Sequence, residues 1–166
     1  SRQSVTDELT GLPNRRALLE RLAEEIERGR RHGTTYAVAM IDVDGFKQFN
    51  DTFGHAAGDR ALRTLSDILR NETRASDLVG RWGGEEFVAI LTDTDTDGAA
   101  RLGERYRHAV EAWQWDRTAI TISIGIAGSE VATDAAPGSE IDQVVAAADR
   151  AMYLAKTQGR NRVVTV

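Results

Sequence analysis

Apolar and polar positions along the chain divide it into alternating helical and strand-like segments. From Asn14, a side chain suited to capping a helix start, Leu18, Leu19, Leu22 and Ile26 fall on one face and predict a helix running into Gly29–Gly33. Tyr36 to Ile41 is a continuous apolar run, the mark of a buried strand, and it stops at Asp42-Val-Asp-Gly45, where carboxylates replace apolar side chains. After a short turn around Lys47 to Asp51, Leu62, Leu65, Ile68 and Leu69 recur at helical spacing, with Asp59 near the helix start, where the dipole favours an acid. Leu78–Trp82 and Glu86–Leu91 flank Gly83, Gly84 and Glu85, and a Gly-Gly pair between two such runs signals a tight hairpin. The next helix carries Leu102, Tyr106, Val110 and Trp113 on one face, with Trp113 expected in the core. Ile120, Ile122, Ile124 and Ile126 alternate with Thr, Ser and Gly as a half-buried strand. Ser139 and Asp142 have the spacing of a capping box for a last helix through Lys156, ended by Gly159, and Arg162–Thr165 closes the chain as a short strand.

A hairpin set within helix-strand alternation points to an α+β sandwich of the ferredoxin-like or split βαβ type. A doubly wound sheet is disfavoured because neither GxGxxG nor GxxxxGK[ST] occurs. No repeat, low-complexity tract or linker interrupts the 166 residues, so one domain is expected, and the start at Ser1 reads as a fragment of a longer chain. The longest apolar runs fall far short of a bilayer span, so no direct membrane contact is expected. Cysteine is absent, which removes thiolate metal sites and a cysteine nucleophile. A net charge of −5 argues against a general nucleic-acid binder. Among the 21 basic residues only Lys47 and Lys156 are lysines.

Carboxylates gather in two places at strand ends: Asp42 and Asp44, which the two-residue period of a strand points to one side, and Glu85 and Glu86 beside the hairpin tip. Acids held close repel and raise one another's pKa, and a hard cation on oxygen ligands, Mg²⁺ or Mn²⁺, relieves them. Lys47, Asn50 and Asp59 follow soon after, and Lys156 and Arg160 lie one helical turn apart. Metal, Lys and Arg together are what a triphosphate requires; the alternative is that the strand-end acids are solvated turn residues. A second acidic pattern, Asp93-Thr-Asp-Thr-Asp-Gly98 with Glu104, fits the calcium-loop spacing, but a strand precedes it where a helix belongs. It reads as a solvated turn in which Thr96 or Asp97 caps the next helix.

Four stretches, Asp7–Arg15, Asp42–Asp59, Arg81–Phe87 (reading GGEEF from Gly83) and Lys156–Asn161, closely resemble the GGDEF diguanylate cyclase family, in order and at family spacing. The resemblance implies that residues 1–166 form a single GGDEF domain, the C-terminal output part of a longer sensor protein, with a nucleotidyl-cyclase palm-type sandwich. Its sheet would be mixed but mainly antiparallel, with flanking helices and a hairpin tipped by two glycines. It implies condensation of two GTP into cyclic di-GMP and two pyrophosphates across a cytoplasmic homodimer, with two Mg²⁺ or Mn²⁺ per active half-site. Carried over by position, Asp42, the Val43 carbonyl, Glu85 and Glu86 hold the metal, and Glu85 deprotonates the attacking hydroxyl. Asn50 and Asp59 read guanine, Gly45, Phe46, Lys47, Lys156 and Arg160 hold phosphate, and Gly83 and Gly84 let the nucleotide lie on bare backbone. Arg74 and Asp77, nine residues before the Gly pair, match the family's product-inhibition site, with Arg105 as a further contact. Rival readings are a catalytically silent sensor of GTP or cyclic di-GMP and a polymerase-palm-like protein.

Overall fold

The unbroken apolar run of strand β1 (Tyr36–Val43) demands cover on both faces, and the chain places it at the centre of the sheet. In the computed structural model, which describes residues 3–166, β3 (Glu86–Thr92) and β4 (Ile122–Gly128) pair antiparallel with its two edges. Outside them lie β2 (Leu78–Gly83), antiparallel to β3, and β5 (Val163–Thr165), parallel to β4. The order β2-β3-β1-β4-β5 makes a mixed, mainly antiparallel five-stranded sheet. Its first four strands have the ferredoxin-like arrangement expected from the hairpin within helix-strand alternation.

Strand alternation sorts the core into two layers. Ala37, Ala39, Ile41 and Val43 point toward α2 (Phe46–Phe53), α3 (His55–Glu72) and α4 (Thr96–Ala112). Tyr36, Val38 and Met40 point toward α1 (Arg15–His32) and α5 (Glu140–Thr157). Helix α1 is capped by Asn14 as expected, its side-chain oxygen accepting from Ala17 N–H at 3.1 Å. Helix α5 lies unusually close to β4: a Cβ built on Gly125 would sit 2.1 Å from Met152 N and 2.2 Å from Ala148 O. The helix meets that strand with alanines 147, 148, 151 and 155, all buried.

Several local expectations are corrected. The stretch Lys47–Asp51 is no turn but the body of α2, held by Phe46, Phe49 and Phe53, the first two rings stacked at 6.3 Å and the last two tilted at 4.9 Å. Strand β4 is buried along its whole length, because the small side of Ser123, Gly125 and Ala127 is the bed for α5. Trp113 is half exposed at the end of α4, while Trp115 packs on the core and donates its indole N–H to Val110 O at 3.0 Å. The capping box does not form: Ser139 Oγ donates to Ala136 O, and Glu140 takes the Gly138 N–H. Helix α4 is capped by Asp95, not by Thr96 or Asp97.

Candidate active site

The hairpin sets the acids. Asp42 on β1 and Glu86 on β3 are directly paired across the strands, and Glu85 sits in the turn after Gly84, whose φ of +39° suits glycine. The Val43 N–H donates to Glu85 O at 3.3 Å, which draws the turn over the end of β1. Burial raises the Asp42 carboxyl above its ordinary value, Lys156 opposes the rise, and Glu85 and Asp44 add to it. Burial likewise raises Glu86, helped by Asp42, Asp149 and Glu85 and opposed by Arg15. These are acids in want of a cation.

Asp44, two residues from Asp42, is in the opposite condition. Its oxygens accept from Ser123 Oγ at 2.6 Å, Thr121 Oγ1 at 2.7 Å, Lys156 Nζ at 3.1 Å and Asn161 N–H at 3.0 Å. Burial pushes this carboxyl up, but those four donors outweigh it and hold it below its ordinary value. Asp44 therefore ties β1 to β4 and to the loop after α5. That loop holds Arg160 and Asn161 at φ +64° and +48°, a conformation side chains resist, and Arg160 N–H donates to Ala155 O at 2.9 Å. Lys156 donates to Asp42 Oδ1 and Val43 O, both at 3.2 Å, as well as to Asp44. The lysine expected at phosphate thus lies among the strand-end oxygens, while Lys47 and Arg160 are exposed without an ion pair among the described residues.

Across the α2–α3 turn Asn50 on α2 lies against Gly58 on α3, and Asp59 is the next residue of that helix. The Asn50 Oδ1 is buried with no hydrogen-bond partner. At the start of α2, Gly45 turns at φ +65° and leaves the first N–H groups of the helix pointing outward, as an anion site needs.

Among the described residues no three acidic or His side chains close into a cage around a metal ion. The donor set still fits a hard cation of the Mg²⁺ kind, since all its atoms are oxygens and such an ion is held by one or two carboxylates with substrate phosphates completing the shell. Four contributors escaped the sequence reading. Arg81 donates to Gly84 O at 3.0 and 2.7 Å and to both Asp7 oxygens at 3.3 Å, clamping the hairpin tip to the N-terminal segment. Burial raises Asp7, but its bonds from Thr10 and the Arg81 charge outweigh that and hold it low. Arg15 lies 4.1 Å over the Trp82 ring, and Asp149 shares the α5 face with Lys156 two turns on. The seven-residue spacing from Asp149 to Lys156 was a usable signal.

At the other end of β3 lies a cleft of about 430 Å³ lined by Arg74, Asp77, Thr94, Arg101 and Arg105. Asp77 is almost wholly buried, its oxygens taken by Thr92 N–H at 2.9 Å and Arg74 Nε at 2.7 Å. Arg74 also donates to Thr92 O and Thr94 Oγ1 at 2.5 and 2.9 Å. Asp77 thus orients Arg74 and has no free edge to offer a base. Arg105 rests on Glu72, its N–H 3.3 Å from the Glu72 carbonyl. The neighbouring Asp93 pairs with Arg28 at 3.1 Å and Asp95 caps α4, so the calcium-like spacing is spent on structure.

The chain matches the family described as "Diguanylate cyclase, GGDEF domain" over residues 4–162. It is 42% identical over 166 residues to the diguanylate cyclase DgcP of Pseudomonas aeruginosa, covering 97% of this chain and 24% of that protein. Against the response regulator PleD of Caulobacter vibrioides it is 40% identical over 167 residues, covering 97% of this chain and 36% of PleD. The crystal structure of the GGDEF domain of DgcB from Caulobacter crescentus in complex with c-di-GMP superposes with a TM-score of 0.89 at 34% identity, covering 99% of this chain and 97% of that one. The chain spans about a quarter to a third of the length of these curated relatives. No helix among the described residues is long and apolar enough to cross a membrane.

Proposed function

The chain belongs to the GGDEF diguanylate cyclase family, and from that premise we propose that it joins two GTP molecules into cyclic di-GMP, releasing two pyrophosphates. The observation that carries this reading is the crowding of Asp42, Glu85 and Glu86 at the hairpin, where two of the three carboxyls are raised although Lys156 bonds to Asp42 and Arg15 faces Glu86. Diguanylate cyclases of this family work with divalent metal ions. Asp42, the Val43 carbonyl, Glu85 and Glu86 would hold Mg²⁺ or Mn²⁺, two per half-site. Bound there, such ions would neutralise the triphosphate and polarise its α-phosphoryl group.

The residues themselves do the rest. Glu85 takes the proton of the attacking 3′-hydroxyl; a bond forms from that oxygen to the α-phosphorus of the other GTP, and the bond to pyrophosphate breaks in line. A second, equivalent step closes the ring. Lys47, Arg160 and the N–H groups of Gly45 and Phe46 hold phosphate oxygens, and Lys156 exchanges Asp42 and the Val43 carbonyl for phosphate while keeping Asp44. Asn50 and Asp59 read the guanine edge, and Gly83 and Gly84 leave the base and sugar free to lie on the backbone. One GTP on one copy cannot form a two-base ring, so a second copy supplies the partner, and the domain serves as the output of a longer cytoplasmic protein. Product returns to the cleft of Arg74 and Arg105, where Asp77 keeps Arg74 aimed at it.

The test is incubation with GTP and Mg²⁺ followed by chromatography of the nucleotides over a range of protein concentrations. Cyclic di-GMP should appear, and its rate should rise faster than linearly with protein. Bound GTP without product, the fold intact, would identify a silent binding module instead.

A further inference from the structure

Helices α2 and α3 meet where the chain has no side chain at all. Gly58 is buried in the first turns of α3, and the Asn50 amide lies across its bare backbone. A Cβ at position 58 would stand 1.8 Å from Asn50 Oδ1 and 2.9 Å from Asn50 Cγ, and 3.2 Å from Phe46 Cζ. No real Cβ tolerates the first two distances, so the amide and a side chain at 58 exclude each other. Gly58 has an ordinary helical conformation: it is not among the residues of positive φ. Glycine is therefore not required here by the backbone, and in a helix interior it is the poorer choice beside alanine.

What the glycine does accommodate is the amide. Asn50 Oδ1 is buried without a hydrogen-bond partner, an arrangement that nothing in the fold repays. The close approach of α3 holds the side chain in this unsatisfied position, and the Phe46 ring reaches the same bare backbone of Gly58. Asp59 is the next residue of α3 after Gly58.

We propose that Gly58 is a specificity-determining positioning residue: its missing side chain makes the slot that holds the Asn50 amide beside Asp59, in register for the guanine of the nucleotide. This rests on the guanine-reading role proposed for Asn50 above. Alanine at 58 displaces the far end of a movable side chain rather than backbone, so the helices stay in place while the amide swings out of register.

The experiment is a double-mutant cycle on this chain, Gly58→Ala, Asn50→Ala and both together. Its readout is calorimetric affinity for the non-hydrolysable analogue guanosine 5′-(α,β-methylene)triphosphate with Mg²⁺, beside the melting temperature. Gly58→Ala should keep the melting temperature and weaken the analogue about tenfold, the loss of roughly one hydrogen-bonded group. In the Asn50→Ala background the same change should cost less than about twofold, because the amide it acts through is gone. Unchanged affinity for Asn50→Ala would overturn the guanine reading itself and this inference with it. A weakened Asn50→Ala beside an unchanged Gly58→Ala, or equal losses in both backgrounds, overturns this inference alone. So does a melting temperature that collapses whether or not Asn50 is truncated, since the clash would then lie between the helices.

Discussion

At its first residue, Glu86, strand β3 adds a carboxylate to a group that already holds Asp42 and Glu85, with Lys156 bonded to Asp42 and Arg15 opposing from α1. At its last, Thr92, the same strand gives its N–H to Asp77 and its carbonyl to Arg74, two side chains already paired with each other. One end leaves Asp42 and Glu86 raised by burial and by their acidic neighbours; the other leaves its acid satisfied and its guanidiniums lining a cleft. The contrast recurs within three residues of β1, where Asp44 has four donors and Asp42 competes with its neighbours. Acidity alone therefore does not mark a site. What marks it is an acid whose surroundings improve when something binds.

The sharpest way to break the comparison is to remove charge at the crowded end. Asp42→Asn and Glu85→Gln should each lower cyclic di-GMP formation by about a thousandfold or more, roughly 4 kcal/mol, with circular dichroism unchanged. Activity within tenfold of the parent would mean that these acids are no more functional than Asp44.

Removing Asp44 should act on the fold. Asp44→Ala leaves two hydroxyls and the Asn161 N–H without their acceptor and should cost about 2–4 kcal/mol, read as a lowered urea midpoint. Because the folded Asp44 carboxyl lies below its unfolded value, its contribution is full above the unfolded value and disappears as pH falls through the folded one. Asp44→Asn should flatten that acid limb of the stability curve, and an unaltered limb would remove Asp44 from the account.

At the satisfied end, Arg74→Ala should raise the cyclic di-GMP concentration needed for half-inhibition about tenfold or more, roughly 1.4 kcal/mol, and leave the uninhibited rate near the parent's. An unchanged inhibition curve would leave the cleft without a ligand.

The smallest effect is the most diagnostic of frustration. Glu86→Gln should raise the melting temperature at neutral pH by about 2–4 °C, since the folded carboxyl lies above its unfolded value and its ionised form is penalised. That penalty is full above the folded value and gone below the unfolded one, so the advantage should vanish as pH falls into the ordinary carboxylate range. A lower melting temperature at neutral pH would show that Arg15 already balances the site.

Sequence pattern carried the sheet, the hairpin and the acids, because period and turn chemistry are local. It could not tell Asp42 from Asp44, since the hydroxyls that satisfy Asp44 lie 77 and 79 residues away. Helix α2 was legible in Phe46, Phe49 and Phe53 at three- and four-residue spacing, but the polar Lys47, Gln48, Asn50 and Asp51 between them drew the reading toward a turn. Trp113 was misplaced for a similar reason. Helical spacing extends α4 through Trp113, whereas the helix ends at Ala112 and the chain folds back so that Trp115 reaches Val110 O. Arg81 and Asp7 were each within a recognised stretch, yet a salt bridge spanning 74 residues has no local signature.

The contact of α5 with β4 at Gly125 makes the sheet a fulcrum and the helix a beam. Met152 and Ala148, the atoms pressed on that glycine, lie four and eight residues from Lys156, about 6 and 12 Å along a helix rising 1.5 Å per residue. A methyl group placed on the fulcrum must tip or lift the beam, and the ammonium now 3.2 Å from Asp42 rides on it. The alignment of the ammonium is thus machined by an omission on a strand other than the one whose oxygens it bonds.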